Sequence, residues 1–205
     1  MGGSEYPARQ RLGRAFFARP TLEVAPDLVG CYLVLRGRRR LVVRLVEVEA
    51  YLGVGLDPAS HAQSGRTARN GQMFETPGTL YVYVSYGMHH CLNVVCERRG
   101  MAGAVLLRAA EPIEGEGSMR RRRGRGGLEL SNGPGKLAQA LGLDLRHDGA
   151  DLVRGVLGVW PGPPPARIAV STRVGITKAV GLPHRFYDPE SGFVSRARTS
   201  ALGTL

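Results

Sequence analysis

The residues able to do chemistry begin with Glu49. It closes the apolar run Leu41 to Glu49, in which Leu41, Val43, Leu45, Glu47 and Glu49 share one face of an extended strand. A carboxylate at the end of an apolar stripe is costly unless it has a partner or a task. Tyr51 follows two residues later, His61 lies in the loop beyond, Tyr81, Tyr83 and Tyr86 crowd a hairpin, and Arg108 sits near the end of a further strand. An ionised carboxylate can activate water as a general base and oppose positive charge developing on a substrate. Tyrosine rings stack on flat ligands, and more strongly on cationic ones. Each residue alone also has an ordinary reading: Glu49 paired structurally with an arginine, the tyrosines as half-buried strand residues, His61 as a loop former. Their combination is what tips the balance toward a reactive site.

The elements that must position these residues are legible in outline. A short helix is expected from Pro20 to Gly30, interrupted by Pro26. Cys31 to Leu35 and Leu41 to Glu49 read as a hairpin around the charged turn Arg36 to Arg40. Gly53 to Pro77 has no period and reads as an irregular loop with one short helix. Gly78 to Val95 alternates as two strands around Tyr86-Gly87-Met88, placing Tyr81, Tyr83 and Ser85 on one face. Ala104 to Ala109 is a further strand. Ile113 to Gly127 holds Arg120 to Arg123 and Arg125 with little apolar content and is expected to be a mobile basic loop, phosphate-contacting or simply solvated. A helix is expected within Leu128 to Leu143, its start a potential phosphate cradle beside Lys136. Short strands after Ile168 finish the sheet.

The chain has 205 residues, 43% of them apolar, with 28 basic and 17 acidic residues and a formal net charge of +11. That size and apolar content support one compact domain with a sizeable core. The excess charge suggests a polyanionic partner, although a bias in gene composition would also enrich arginine. Lys136 and Lys178 are the only lysines, so the charge is almost all guanidinium, suited to bidentate phosphate contacts. Cys31, Cys91 and Cys96 lack metal-site spacing and read as reduced, buried thiols. No apolar run approaches the ~20 residues that spanning requires, and the N-terminus has no export signal. The expectation is a cytoplasmic protein without metal or cofactor.

Taken in order, VEVEAYLG (Val46 to Gly53), His61, RTARNGQMF (Arg66 to Phe74), PGTLYVYVSYGMHHCLNV (Pro77 to Val94), LLRAAEP (Leu106 to Pro112), GPGKLAQALG (Gly133 to Gly142) and RVGI (Arg173 to Ile176) form a series. This series resembles the alkyladenine DNA glycosylases, also called 3-methyladenine or methylpurine DNA glycosylases. The resemblance implies an α+β fold, a single mixed domain around a curved antiparallel β-sheet with flanking helices, over residues 15–200 after a flexible segment 1–14. It implies that Glu49 deprotonates the attacking water, held with the help of Arg108 and the backbone near Val174. Tyr51, His61 and Tyr83 match the walls around a flipped base, Asn93 a residue disfavouring the amino group of normal guanine, and Tyr86 the residue that fills the vacated duplex. Arg69 and Lys136 are the expected phosphate contacts. The implied activity is excision of 3-methyladenine, 7-methylguanine, hypoxanthine or ethenoadenine from double-stranded DNA, in association with the nucleoid of a bacterium and without metal or covalent intermediate. No lysine stands beside Glu49, so no strand-cleaving lyase step is expected, and an enzyme that meets one lesion at a time is expected to be a monomer.

Three departures from the family pattern bear on substrate range: an extra residue between Tyr51 and His61, Ala68 where proline is usual, and His89-His90 in place of a more aromatic pair. Two rival readings are a non-catalytic nucleic-acid-binding module and a small-molecule nucleoside hydrolase. A binding module has no use for a carboxylate that would repel phosphate. A nucleoside hydrolase needs neither an intercalating Tyr86 nor the arginine excess.

Overall fold

A computed structural model describes residues 10–195 and 201–204. Two short helices, α1 (Arg14–Phe17) and α2 (Thr21–Leu28), precede the hairpin β1 (Tyr32–Leu35) and β2 (Leu41–Tyr51). After a long loop come β3 (Leu80–Ser85), β4 (His89–Val95), β5 (Ala104–Glu114), α3 (Glu116–Arg123), α4 (Pro134–Leu141), β6 (Leu157–Trp160), β7 (Ala169–Ser171), β8 (Arg185–Tyr187) and β9 (Ala201–Thr204). The strands form one antiparallel sheet in the order β3-β4-β5-β2-β8-β7-β9, with β1 and β6 continuing from the first half of β2. The α+β expectation holds. Of the expected N-terminal segment, residues 1–9 lie outside the described residues, whereas Leu12 donates its N–H to Val159 O at 2.9 Å.

β2 is the axis of this sheet: its first half pairs with β1, Glu47 to Glu49 pair with β8, and its whole length pairs with β5. The β2–β5 register slips between Leu45 and Glu47 and again between Glu47 and Val48. Such bulges re-aim side chains and increase local twist. Leu41, Val43 and Leu45 lie in the main core, and so do Val48 and Ala50. Glu47 and Glu49 therefore lie on the opposite face from Leu41, Val43 and Leu45, contrary to the simple alternation read from the sequence. The slip lets the same strand feed apolar residues to the core at both ends and carboxylates to the other face in the middle.

The expected basic loop is largely structured. β5 runs on to Glu114, and Glu116 to Arg123 form α3, anchored by Met119, which has no exposed surface. Arg122 donates to Ala140 O at 3.0 Å and Arg123 to Leu130 O at 3.2 Å, so two of the arginines tie α3 to the segment around α4. One buried methionine and carbonyl partners supply what the local composition lacks. α4 is shorter than Leu128 to Leu143, a separate 3₁₀ turn occupying Gly127–Leu130. In the loop after β2, buried Asp57 accepts from the Leu52 and Ala59 amides, and Asn70 bonds Thr67, His61 and Gly65. Side chains thus take over the backbone pairing that a helix or strand would provide.

Candidate active site

Glu49 has no exposed surface. Its Oε1 accepts the Val174 N–H at 2.7 Å and lies 3.3 Å from Nη1 of Arg108, and its Oε2 accepts the Tyr51 hydroxyl at 2.9 Å. Burial raises its pKa, outweighing the opposite pull of Arg108, the Val174 amide and Tyr51. A carboxylate tuned upward in this way moves toward the range where a general base works near neutral pH. Two residues earlier, Glu47 is equally buried but far more fully paired. Arg108 Nε (2.9 Å), Arg185 Nε (2.7 Å) and the Ser195 hydroxyl (2.7 Å) meet its Oε1, and the Ser195 N–H (2.6 Å) meets its Oε2. Burial again pushes upward, but these partners outweigh it and hold the carboxyl below its ordinary value. One arginine thus bridges two carboxylates with opposite tuning.

The three groups that hold Glu49 all line a cavity of about 360 Å³, together with His61, Arg69, Tyr81, Tyr83, Tyr86 and Asn93. Glu49 stands immediately behind this wall. The volume lies in the ~300–1,000 Å³ range of small-ligand sites. Tyr83 and His61 meet edge to face with centroids 4.5 Å apart, and His61 Nδ1 is 2.9 Å from the Tyr81 hydroxyl. Burial, and then the charge of Arg69, lower the His61 pKa, which keeps the ring neutral at physiological pH. Asn93 is buried, its amide donating to Tyr81 O at 3.1 Å, which fixes the side chain in the cavity wall.

Tyr86 occupies the tip of the β3–β4 hairpin with 82% of its surface exposed. Its φ of 49° and that of Gly87, 71°, form a tight turn closed by the Met88 N–H on Ser85 O at 3.2 Å. A non-glycine residue in the left-handed region costs roughly 1–3 kcal/mol and persists where the surroundings impose it. Here the strain holds an aromatic ring out into solvent at the cavity mouth. Arg69 stands 5.8 Å from the Tyr83 ring centroid. Ten of the eleven residues singled out from the sequence, Tyr81 included, are therefore brought together around the cavity. Lys136 is the exception: its ammonium bonds Glu129 at 2.7 Å and Asn132 at 2.8 Å, while Pro134 at the start of the same helix lines the cavity.

Sequence reasoning missed a second buried ion pair. Arg173 binds both oxygens of Asp57, at 2.5 and 2.8 Å, donates to Ala50 O at 2.9 Å, and stacks 4.5 Å from the Tyr51 ring centroid. Its neighbour Val174 supplies the amide that holds Glu49, so this pair fixes Tyr51 and the Val174 backbone together. Asp57 and Arg173 are 116 residues apart, and only the charged Arg173 ahead of a short glycine turn hinted at the pairing. Among the described residues, no three His, Cys, Asp or Glu side chains gather into a metal-binding group, and no helix is long and apolar enough to cross a membrane.

The comparison with known proteins is consistent along the chain. A protein of Methanoculleus marisnigri is 49% identical over 191 residues, covering 90% of this chain and 98% of its own. One of Chlorobium phaeovibrioides is 47% identical over 196 residues, covering 93% and 100%, and one of Carboxydothermus hydrogenoformans is 46% identical over 190 residues, covering 90% and 98%. Each carries the name "Putative 3-methyladenine DNA glycosylase". The family model described as methylpurine-DNA glycosylase (MPG) matches residues 15–192, and with this coverage the chain belongs to the methylpurine-DNA glycosylase family.

Proposed function

We propose that this protein, a DNA glycosylase by family, excises alkylated or deaminated purines such as 3-methyladenine, 7-methylguanine, hypoxanthine and ethenoadenine from double-stranded DNA, with Glu49 as general base. The observation that carries this reading is the placement of Glu49: a fully buried carboxylate whose three partners are all walls of one aromatic cavity.

A base inside a duplex offers no path to its glycosidic bond, so the nucleotide is extruded into the cavity, at a cost of a few kcal/mol that is smaller for damaged pairs. Tyr86, exposed at the hairpin tip, enters the gap and offsets part of that cost. Tyr51, His61 and Tyr83 stack on the base, at ~1–3 kcal/mol per stacked face, and electron-poor or cationic purines gain most. Asn93 crowds the position of a guanine amino group. Arg69 contacts a flanking phosphate, and Lys136 adds charge at the start of α4.

In the chemical step the bond from the sugar to the purine nitrogen breaks, and a water oxygen bonds to the anomeric carbon. Glu49 takes that water's proton and opposes the positive charge building on the sugar. Arg108 and the Val174 amide orient Glu49 and the water. A cationic purine leaves as a neutral base, whereas neutral hypoxanthine or ethenoadenine leaves with the bonding electron pair on its nitrogen and takes up a proton from water, which makes it the slower leaving group. Among the described residues neither lysine lines the cavity, so no lysine amine stands there for a covalent intermediate, and the expected product is an intact strand with an abasic site.

The test is a duplex oligonucleotide carrying one hypoxanthine or ethenoadenine, treated with protein and split into samples with and without hot alkali. Cleavage only after alkali is the expected result. Failure to release base from these duplexes and from methylated DNA, despite binding, would leave a nucleic-acid-binding module as the better reading.

A further inference from the structure

Two arginine-rich segments that the excision pocket does not use converge on one surface. The turn between β1 and β2 contributes Arg36, Arg38 and Arg39, and α3 contributes Ser118 and Arg122, to the wall of a cavity of about 430 Å³. Their sequence positions are about 80 residues apart, and only the folding of α3 against the hairpin brings them together. Among the described residues no Asp or Glu lines this cavity. The two acids nearest in sequence are already neutralised: Glu114 by Arg40, at 2.8 and 3.0 Å from Nε, and Glu116 by Arg120 at 2.9 Å.

Two of the remaining guanidinium groups are held in place rather than free to disperse. Arg36 stacks 4.8 Å from the Trp160 ring centroid, and Arg122 is anchored by its bond to Ala140 O at 3.0 Å. Crowded exposed cations without acids gain from a polyanion that neutralises them and releases its counterions. Guanidinium forks match phosphate oxygens bidentately. Leu41, beside this turn, and Glu49 lie roughly 25 Å apart along β2, at ~3.3 Å per residue. That separation corresponds to about seven base-pair steps at ~3.4 Å each, beyond the phosphates next to an extruded nucleotide.

We propose that this arginine cluster is a second DNA-contacting surface, one that binds backbone phosphates away from the excision pocket. It does not depend on the chemistry of Glu49, because it acts on DNA with or without a lesion. The phosphates belong either to a distant stretch of the same duplex or to a separate duplex segment, and the chemistry of recognition is the same for both.

The test is binding of lesion-free duplex across a salt titration, with wild type, the triple variant Arg36→Ser, Arg38→Ser, Arg39→Ser, and a charge-keeping control with lysine at the same positions. The serine variant is expected to flatten the slope of log K against log salt by about 0.9 for each phosphate it no longer neutralises, and the lysine control to restore most of it. Single-turnover base release at saturating protein is expected to stay within about twofold of wild type. Weaker binding to a duplex of about 30 base pairs but not to one of about 12 assigns the surface to the distal stretch. Failure to bind a second short duplex assigns it to a separate segment. An unchanged salt slope in a variant with wild-type thermal stability would overturn the proposal. So would a charge-dependent decrease in binding to vesicles rich in phosphatidylserine with DNA binding unaltered.

Discussion

Glu47 and Glu49 are two buried carboxylates on one strand, two residues apart, sharing one arginine, yet their surroundings do opposite things. Glu47 is closed off by two guanidinium groups and Ser195, and its ionised form is favoured. Glu49 is held by weaker partners, a phenol, one amide and a 3.3 Å arginine contact, and burial disfavours its charge. The first arrangement is what a structural clamp requires. The second leaves basicity unspent, at a cost to stability, where the cavity wall is built. Burial and an arginine partner alone therefore do not mark a reactive carboxylate; the degree to which its charge is satisfied does.

The contrast breaks most sharply under isosteric substitution. Glu49→Gln is expected to lower single-turnover base release by ~10²–10⁴-fold while thermal stability is unchanged or higher, since a strained charge is removed. Equal rates in the two proteins would remove Glu49 from the mechanism. Glu47→Gln takes from buried Arg185 its carboxylate and from Arg108 the closer of its two, and denaturant unfolding should show a loss of roughly 3–5 kcal/mol. A loss under about 1 kcal/mol would mean that the clamp is dispensable.

Acid titration sharpens the same comparison with opposite signs. The folded pKa of Glu47 is depressed, so its stabilisation is complete above the unfolded value of ~4.3 and disappears as pH falls through the lower folded value. The folded pKa of Glu49 is raised, so its contribution is complete below ~4.3 and is lost as pH rises through the folded value. Stability curves of the two glutamine variants against wild type should therefore diverge in opposite directions with rising pH, Glu49→Gln gaining and Glu47→Gln losing. The smallest expected effect is that of Tyr51→Phe, which keeps the stacking ring and removes one donor to Glu49. Base release should change by a few-fold, the scale of one hydrogen bond of ~0.5–1.5 kcal/mol.

How much of the molecule is legible from the chain depends on range. The hairpins, the Tyr81 and Tyr83 face and the polar end of β2 follow from local alternation, and nearly all the site residues come from the ordered motifs. The face on which Glu49 lies does not follow, because a bulge at Val46 and Glu47 depends on how β5 pairs, which β2 alone does not encode. α3 escapes a local reading because its helix is stabilised by one buried methionine and by carbonyls of a distant segment, not by an apolar stripe. The Glu47 network is invisible for the same reason: Arg185 and Ser195 lie 138 and 148 residues away.

The most direct test of Glu49 as the base is the pH dependence of single-turnover base release from a hypoxanthine duplex at saturating protein, for wild type and Glu49→Gln. In wild type the rate should fall as pH drops through a single ionisation lying above the ordinary carboxylate value of ~4.3, because only ionised Glu49 accepts the water's proton. In Glu49→Gln the residual rate should lack that limb. The same limb persisting in the glutamine variant would assign the ionisation to another group and contradict Glu49 as the base.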